Sequence, residues 1–273
     1  MWRRKGYLKL LVKAIISILL LSFTVGLYLG GKIVITITIF TFSLVCLYEF
    51  FSILEVKKIY PYRWIGYLGT VLIYYFAYCN NFEGLALSIG GISILLFIFL
   101  IFFSSSSLEK IITGVTSTVF GIIYIPFLFS FLVLVCNLHY GLKLFLLIIL
   151  ANGIGDMSAN GIGRWFGKHK ICPKISSSKT LEGTITELVA AVIVTLLIGK
   201  WFVNLPFSLT LPLGVVIGIF SVIGDFMESL LKRSIGVKDT GNWLPEHGGL
   251  LDRCDSVITA SFGAYLFLTL VLK

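Results

Sequence analysis

An all-α, polytopic integral membrane protein with about nine transmembrane helices and a cytoplasmic N-terminus is the fold class that this chain of 273 residues predicts. Composition comes first: 58% of the residues are hydrophobic and 13% charged, with a mean hydropathy of +1.00. A soluble domain carries about 25% charged residues, and no water-soluble core of this size hides so much apolar surface. Nine apolar stretches come next. Each approaches the ~20 residues a helix needs to cross ~30 Å of hydrocarbon, where the backbone must satisfy its own hydrogen bonds. Last is the placement of lysine and arginine, eighteen on one side of those stretches and four on the other.

In chain order the stretches are 8–29, 33–54, 64–79, 85–103, 111–136, 142–160, 188–202, 211–231 and 255–272. The first is led by Arg3, Arg4, Lys5, Lys9 and Lys13. It lacks a small-residue cleavage site and runs almost directly into the next span, so it is expected to be retained rather than cleaved as a signal peptide. With the N-terminus inside, the inner segments hold those five, Lys57, Lys58, Arg63, Lys110, five more within 164–179 and four within 232–253. Only Lys32, Lys143, Lys200 and Lys273 fall outside, which is the asymmetry expected of cytoplasmic loops.

Other classes drop out. Five scattered cysteines (Cys46, Cys79, Cys136, Cys172, Cys254) contain no CxxC pair and are odd in number, so no disulfide scaffold is expected. The net charge of +9 does not point to nucleic acid, because such binders concentrate charge on a soluble surface that this chain lacks.

Acidic residues divide the chain. Of 13 Asp and Glu, nine (Asp156, Glu182, Glu187, Asp225, Glu228, Asp239, Glu246, Asp252, Asp255) lie in the last 118 residues. The first 150 residues are almost chemically blank and read as scaffold, with aromatic-rich spans lining a lipid groove as the other reading. One integrated membrane domain is expected, with residues 1–140 as scaffold and 141–273 as the catalytic region.

A charge within a span costs about 2.5–3.5 kcal/mol on insertion scales and usually faces a polar cavity. Asp156 and Asp225 each follow about 14 residues of their own span, a depth of roughly 21 Å at 1.5 Å per residue, so one shared inner cavity is expected. Downstream, Asp225 and Glu228 stand three apart on one helical face, with Lys232 and Arg233 one turn on. A polar loop with Lys238, Asp239, Pro245, Glu246, His247, Gly248 and Gly249 follows, and then Asp252 and Asp255, again three apart. Carboxylates interleaved with bases suit magnesium and polyphosphate: oxygen ligands hold a hard cation, and Lys or Arg neutralises the remaining phosphate charge. Gly248 and Gly249 would let backbone N–H groups approach an anion.

An earlier polar segment, GRWFGKHKICPKISSSKTLEG, carries Arg164, Lys168, Lys170, Lys174 and Lys179 beside Ser176, Thr180 and Glu182. By itself it reads equally as positive-inside topology and headgroup attraction. Neither a Walker loop nor a dinucleotide fingerprint fits its spacing. The run Ser104 to Ser107 reads as loop filler.

These residues resemble those of the phosphatidate cytidylyltransferases, also called CDP-diacylglycerol synthases. The stretch SLLKRSIGVKDTGNWLPEHGGLLDRCD is similar to their signature nearly end to end, with Ser229, Lys232, Arg233, Lys238, Asp239, Gly241, Pro245, His247, Gly248, Gly249, Asp252, Arg253 and Asp255 at the family's spacing. Upstream the similarity is looser. Asp156 matches an intramembrane acid, Gly167 to Lys170 a GKHK-like turn, and Ser176, Lys179, Thr180, Glu182 and Gly183 a Ser-Pro-Lys-Lys-Thr-x-Glu-Gly box. Ser177 and Ser178 replace the box's Pro and Lys; Asn160 and Cys254 also depart from the usual residues.

The resemblance implies a magnesium-dependent nucleotidyltransferase that makes CDP-diacylglycerol and pyrophosphate from CTP and phosphatidate. It implies Asp225 and Asp252 as principal metal ligands, with Asp255 as a further ligand or support. Lys232, Arg233 and Lys238 would hold triphosphate or lipid phosphate, and Asp239 and Arg253 would order the loop. His247 would contact phosphate or protonate pyrophosphate, or else shape a turn. Ser176, Lys179 and Thr180 would contact nucleotide or phosphatidate. The lipid bilayer is the remaining partner; a second metal ion and a homodimer are left open. A bacterial inner membrane is the expected location, with the site facing the cytoplasm. Two rival readings are a CTP-dependent lipid-alcohol kinase, which would release CDP, and an ion-coupled transporter, which would gather polar groups near the midplane rather than at one face.

Overall fold

The computed structural model describes residues 2–103, 107–173, 175–176, 179–241 and 248–271, with side chains from Thr24 onward. Among the described residues every regular element is helical. The order is α1 (Trp2–Glu55), α2 (Arg63–Tyr78), α3 (Phe82–Phe103), α4 (Leu108–Ile122), α5 (Leu128–Val135), α6 (Gly141–Phe166), α7 (Leu181–Ile198), α8 (Phe207–Ile235) and α9 (Leu251–Val271).

Seven helical runs among the described residues are long and apolar enough to cross a bilayer, against nine expected. Two of the nine stretches stand outside these seven, the first because it lies mostly beyond the described side chains. Stretches 8–29 and 33–54 are the two arms of α1, broken where Gly31 takes φ 73°, a backbone conformation that L side chains resist. Only the second arm lies fully within the described side chains. The third stretch forms α2, whose 16 residues fall short of a full crossing.

Pro126 shapes another span. Lacking an N–H and crowding the preceding turn, it sits in a wide π-type turn, Ile123–Phe127, that joins α4 to α5 without ending the helical run.

Outward-facing apolar side chains fit a lipid solvent: Leu87, Ile101 and Phe102 are 73–75% exposed. The buried core joins Leu47, Phe50 and Phe51 of α1 to Ile125, Leu134, Leu144, Ile217 and Ile258 from α8, α9 and the helices between. Each of α6, α7 and α8 packs extensively on the helix that follows it, and these four helices carry most of the buried acids, Glu187, Glu228 and Asp255 among them. Gly224 permits the closest approach of α8 to α9, because a Cβ there would collide with the Asp255 carbonyl and the Thr259 hydroxyl. That contact sets Asp225 and Asp255 on neighbouring helices at one level.

Candidate functional site

Two polar groups lie between α6 and α9. The inner one forms where Asp156 of α6, Glu187 of α7 and Asp225 of α8 converge, one carboxylate oxygen from each lying within 4.8 Å of the others. Helical spacing supplies their company: Asn152 stands one turn before Asp156 and Ser221 one turn before Asp225, each on the same face. Ser256 of α9 donates to Asp156 Oδ2 at 2.9 Å, and Ser221 donates to Glu187 Oε1 at 2.5 Å, with Asp156 Oδ1 3.4 Å away. The amide of Asn152 links the group to Ser256 at 2.9 Å. Lys179 closes it, with Nζ 2.7 Å from Asp225 Oδ2 and 4.7 Å from the centre of the Phe226 ring. Three carboxyl groups thus face one ammonium and a few hydroxyls, walled by apolar helices.

The outer group centres on Lys232. Its ammonium is 2.7 Å from Glu228 Oε2 and 2.7 Å from Asp252 Oδ1. Asp252 Oδ2 accepts from the backbone N–H groups of Thr240 at 3.0 Å and Gly249 at 2.8 Å. Gly248 makes this possible: its φ is 79°, and a Cβ there would lie 2.6 Å from Asp252 Oδ2. Beyond Asp252 lies Glu49, buried on α1, which accepts from the N–H groups of Leu250 at 2.9 Å and Leu251 at 2.8 Å.

The structure joins Asp156 and Asp225 in one cluster, as their matching depth suggested. Asp225 meets Asp156 and Glu187 there rather than Asp252, whose oxygens are engaged with Lys232, Thr240 and Gly249. Asp255 is buried beside the inner group. The anion that Gly249 meets through its N–H is the Asp252 carboxylate itself. Thr180 is buried and caps α7, its hydroxyl accepting the Gly183 N–H at 3.2 Å. Ser176 is buried next to it in the chain's preceding turn, with its N–H bonded to the Cys172 carbonyl. Arg233 is exposed and its Nε donates to the Ile175 carbonyl at 3.2 Å, tying the two polar segments together. Lys238, Asp239 and Arg253 are exposed at the same end of the bundle. His247, Pro245 and Glu246 lie outside the described residues, as do Lys174, Ser177 and Ser178.

Glu187 and Glu49 are the residues that sequence reasoning passed over. Glu187 was counted among the acids but stands at the edge of its stretch, where a wet position is ordinary. Glu49 lies inside stretch 33–54, so the rule that singled out Asp156 and Asp225 applied to it equally.

For a divalent cation, the inner group has the right chemistry: its charged donors are all carboxylate oxygens, they come from three helices, and they sit close enough to converge.

The description "Cytidylyltransferase family" matches residues 12–271 of the chain. The phosphatidate cytidylyltransferase of Bacillus subtilis is 32% identical over 246 residues, which cover 88% of this chain and 90% of that protein. Its counterpart in Mycobacterium bovis is 32% identical over 160 residues, 59% of this chain and 52% of the relative. In Staphylococcus haemolyticus the protein of the same name is 45% identical over 122 residues, 44% of this chain and 45% of the relative. The chain therefore spans about half the length of the mycobacterial and staphylococcal relatives.

Proposed function

Because the chain belongs to the cytidylyltransferase family, we propose that it transfers CMP from CTP to phosphatidate, yielding CDP-diacylglycerol and pyrophosphate for phospholipid synthesis. One observation carries the chemistry. Three carboxylates and the Lys179 ammonium meet inside an apolar helical body, next to a second ammonium, Lys232, held between two acids.

In the reaction a lipid phosphate oxygen attacks the α-phosphorus of CTP, and the bond to the β-phosphate oxygen breaks. A phosphate monoester is already anionic at neutral pH, so the residues need not activate a nucleophile; they must hold two like-charged groups together and in line. Lys179 and Ser176 are proposed on the phosphatidate side. Lys232, Arg233, Lys238, Arg253 and the Gly248–Gly249 turn are proposed around the triphosphate, with Thr180 and Asp239 shaping the two loops and His247 proposed beside the leaving group.

Asp225 with Asp156 and Glu187 would hold magnesium, which when bound supplies charge neutralisation at the phosphates. Asp252 and Asp255 complete the proposed ligand set. Asp252 Oδ1 is paired with Lys232 at 2.7 Å, so a phosphate that draws Lys232 away would loosen that pairing.

The basic asymmetry supports a cytoplasmic site in a bacterial inner membrane, where lipid enters from the inner leaflet and CTP from the cytosol. In this reading residues 141–273 carry the chemistry and 1–140 frame it.

Purified protein in detergent, given labelled CTP, phosphatidate and magnesium, is expected to form CDP-diacylglycerol and pyrophosphate. Release of CDP instead would favour a lipid-alcohol kinase, and ion flux without nucleotide turnover a transporter; neither is favoured by the relatives' names.

A further inference from the structure

A carboxylate from the apolar N-terminal part of the chain is built into the signature loop. Glu49 is 2% exposed, and an unsatisfied carboxylate in such a place is costly. Its donors come from 191 to 202 residues away. Thr240 Oγ1 donates to Oε2 at 3.3 Å, the Leu250 N–H to Oε1 at 2.9 Å and the Leu251 N–H to Oε2 at 2.8 Å. The last two are N–H groups at the start of α9, which lack partners within the helix and belong to the positive end of its dipole, where a carboxylate is favoured.

Two glycines flanking residues 242–247 are fitted to this side chain. A Cβ on Gly241 would lie 2.7 Å from Glu49 Oε1, and one on Gly249 would lie 2.6 Å from Oε2. Both ends of segment 241–249 therefore rest on the same carboxylate. Asp252 grips the same two ends through the Thr240 and Gly249 N–H groups. One clamp comes from α9 itself; the other comes from α1.

We infer that Glu49 is a positioning residue for the nucleotide: it fixes the segment around Thr240 and Gly249 and the start of α9, which carry Lys238, Gly248 and Arg253, so that α1 sets the geometry of the triphosphate pocket without touching substrate. The inference rests on the proposed CMP transfer. With CTP on the signature-loop side and phosphatidate on the Ser176 and Lys179 side, as proposed above, a change at Glu49 is expected to disturb the CTP side first, because its partners Thr240, Leu250 and Leu251 all belong to the signature segment.

The test uses the full chain in detergent with phosphatidate, CTP and magnesium, comparing wild type, Glu49→Gln and Gly241→Ala. In Glu49→Gln an amide donor replaces one acceptor oxygen; Gly241→Ala presses on the same carboxylate from the loop side. Both are expected to raise the KM for CTP about tenfold, in keeping with the rate and affinity losses that follow small misplacements, while the KM for phosphatidate changes less than about twofold. A purely structural role lowers the active fraction, reducing turnover with both KM values unchanged, and that result in either variant overturns the inference. Should Glu49→Gln fail to fold, Gly241→Ala decides alone. Amide hydrogen exchange gives an activity-free reading: exchange at Leu250 and Leu251 is expected to speed up at least tenfold in Glu49→Gln, and unchanged exchange contradicts the clamp. Wild-type protein that exchanges as expected but transfers no CMP would sink the proposed reaction while leaving the clamp intact.

Discussion

The inner and outer polar groups contain similar numbers of acids but treat them differently. Around Asp252 and Glu49 the donors are four backbone N–H groups and an ammonium at 2.7–3.0 Å and the Thr240 hydroxyl at 3.3 Å, so the carboxylates serve mainly to knot backbone together. Around Asp156, Glu187 and Asp225 the donors are two serine hydroxyls, one asparagine amide at 3.4 Å from Asp156 and one lysine. A serine has a single proton, so Ser221 satisfies one of its two acidic neighbours at a time. The contrast separates a group arranged to hold its own chain from one with fewer donors for its acids, which supports the proposed cation site.

The sharpest way to break this distinction is Asp225→Asn. It removes an inner charge that the proposed cation needs and should lower CMP transfer about a thousandfold, the upper range for loss of a group that stabilises transition-state charge. Activity within tenfold of wild type, measured with magnesium in excess, would merge the two groups into one structural network.

Lys232→Met tests the outer group from the opposite direction. It strands Glu228 and Asp252, whose side chains are 4% and 7% exposed, without their shared ammonium. A loss of about 3 kcal/mol in stability is expected. Adding Glu228→Gln should restore part of it, since one of the two stranded charges is gone. Thermal unfolding in detergent reads both, and a double variant no more stable than the single one would contradict the bridge.

How much of this could be read from the sequence differs between the groups. Asp156 and Asp225 were legible because helical rise converts position in a span into depth, and both positions fall at the same depth. Their third partner, Glu187, was not, because only the packing of α7 between α6 and α8 turns its edge position inward. The signature loop was legible as a set of residues but not as a set of contacts. Gly248 and Gly249 suggest close approach to an anion; nothing local says that the anion is Asp252, three residues on. Glu49 was hidden most thoroughly, its partners lying about two hundred residues away in sequence. Of the nine apolar stretches, the first lies on the arm of α1 before the Gly31 kink, largely outside the described side chains, and the third forms the 16-residue α2, as long as its apolar run; the other seven match the long apolar helices among the described residues.

A smaller effect sharpens the comparison further. Thr180 caps α7, so Thr180→Ala should cost about 1 kcal/mol of stability and change the KM for either substrate less than about twofold. A large rise in the CTP KM, measured on folded protein, would instead make its hydroxyl a nucleotide contact.

The most direct test of the account is Mn2+ binding to the purified protein, followed by electron paramagnetic resonance, in wild type and in Glu187→Gln. Glu187 belongs to no part of the signature loop, so its only route to the cation is the inner cluster. The account predicts that wild type takes up Mn2+ and that the apparent Kd rises about tenfold or more in the variant, the scale expected for loss of a ligand or its support. Equal binding by the two proteins would contradict it.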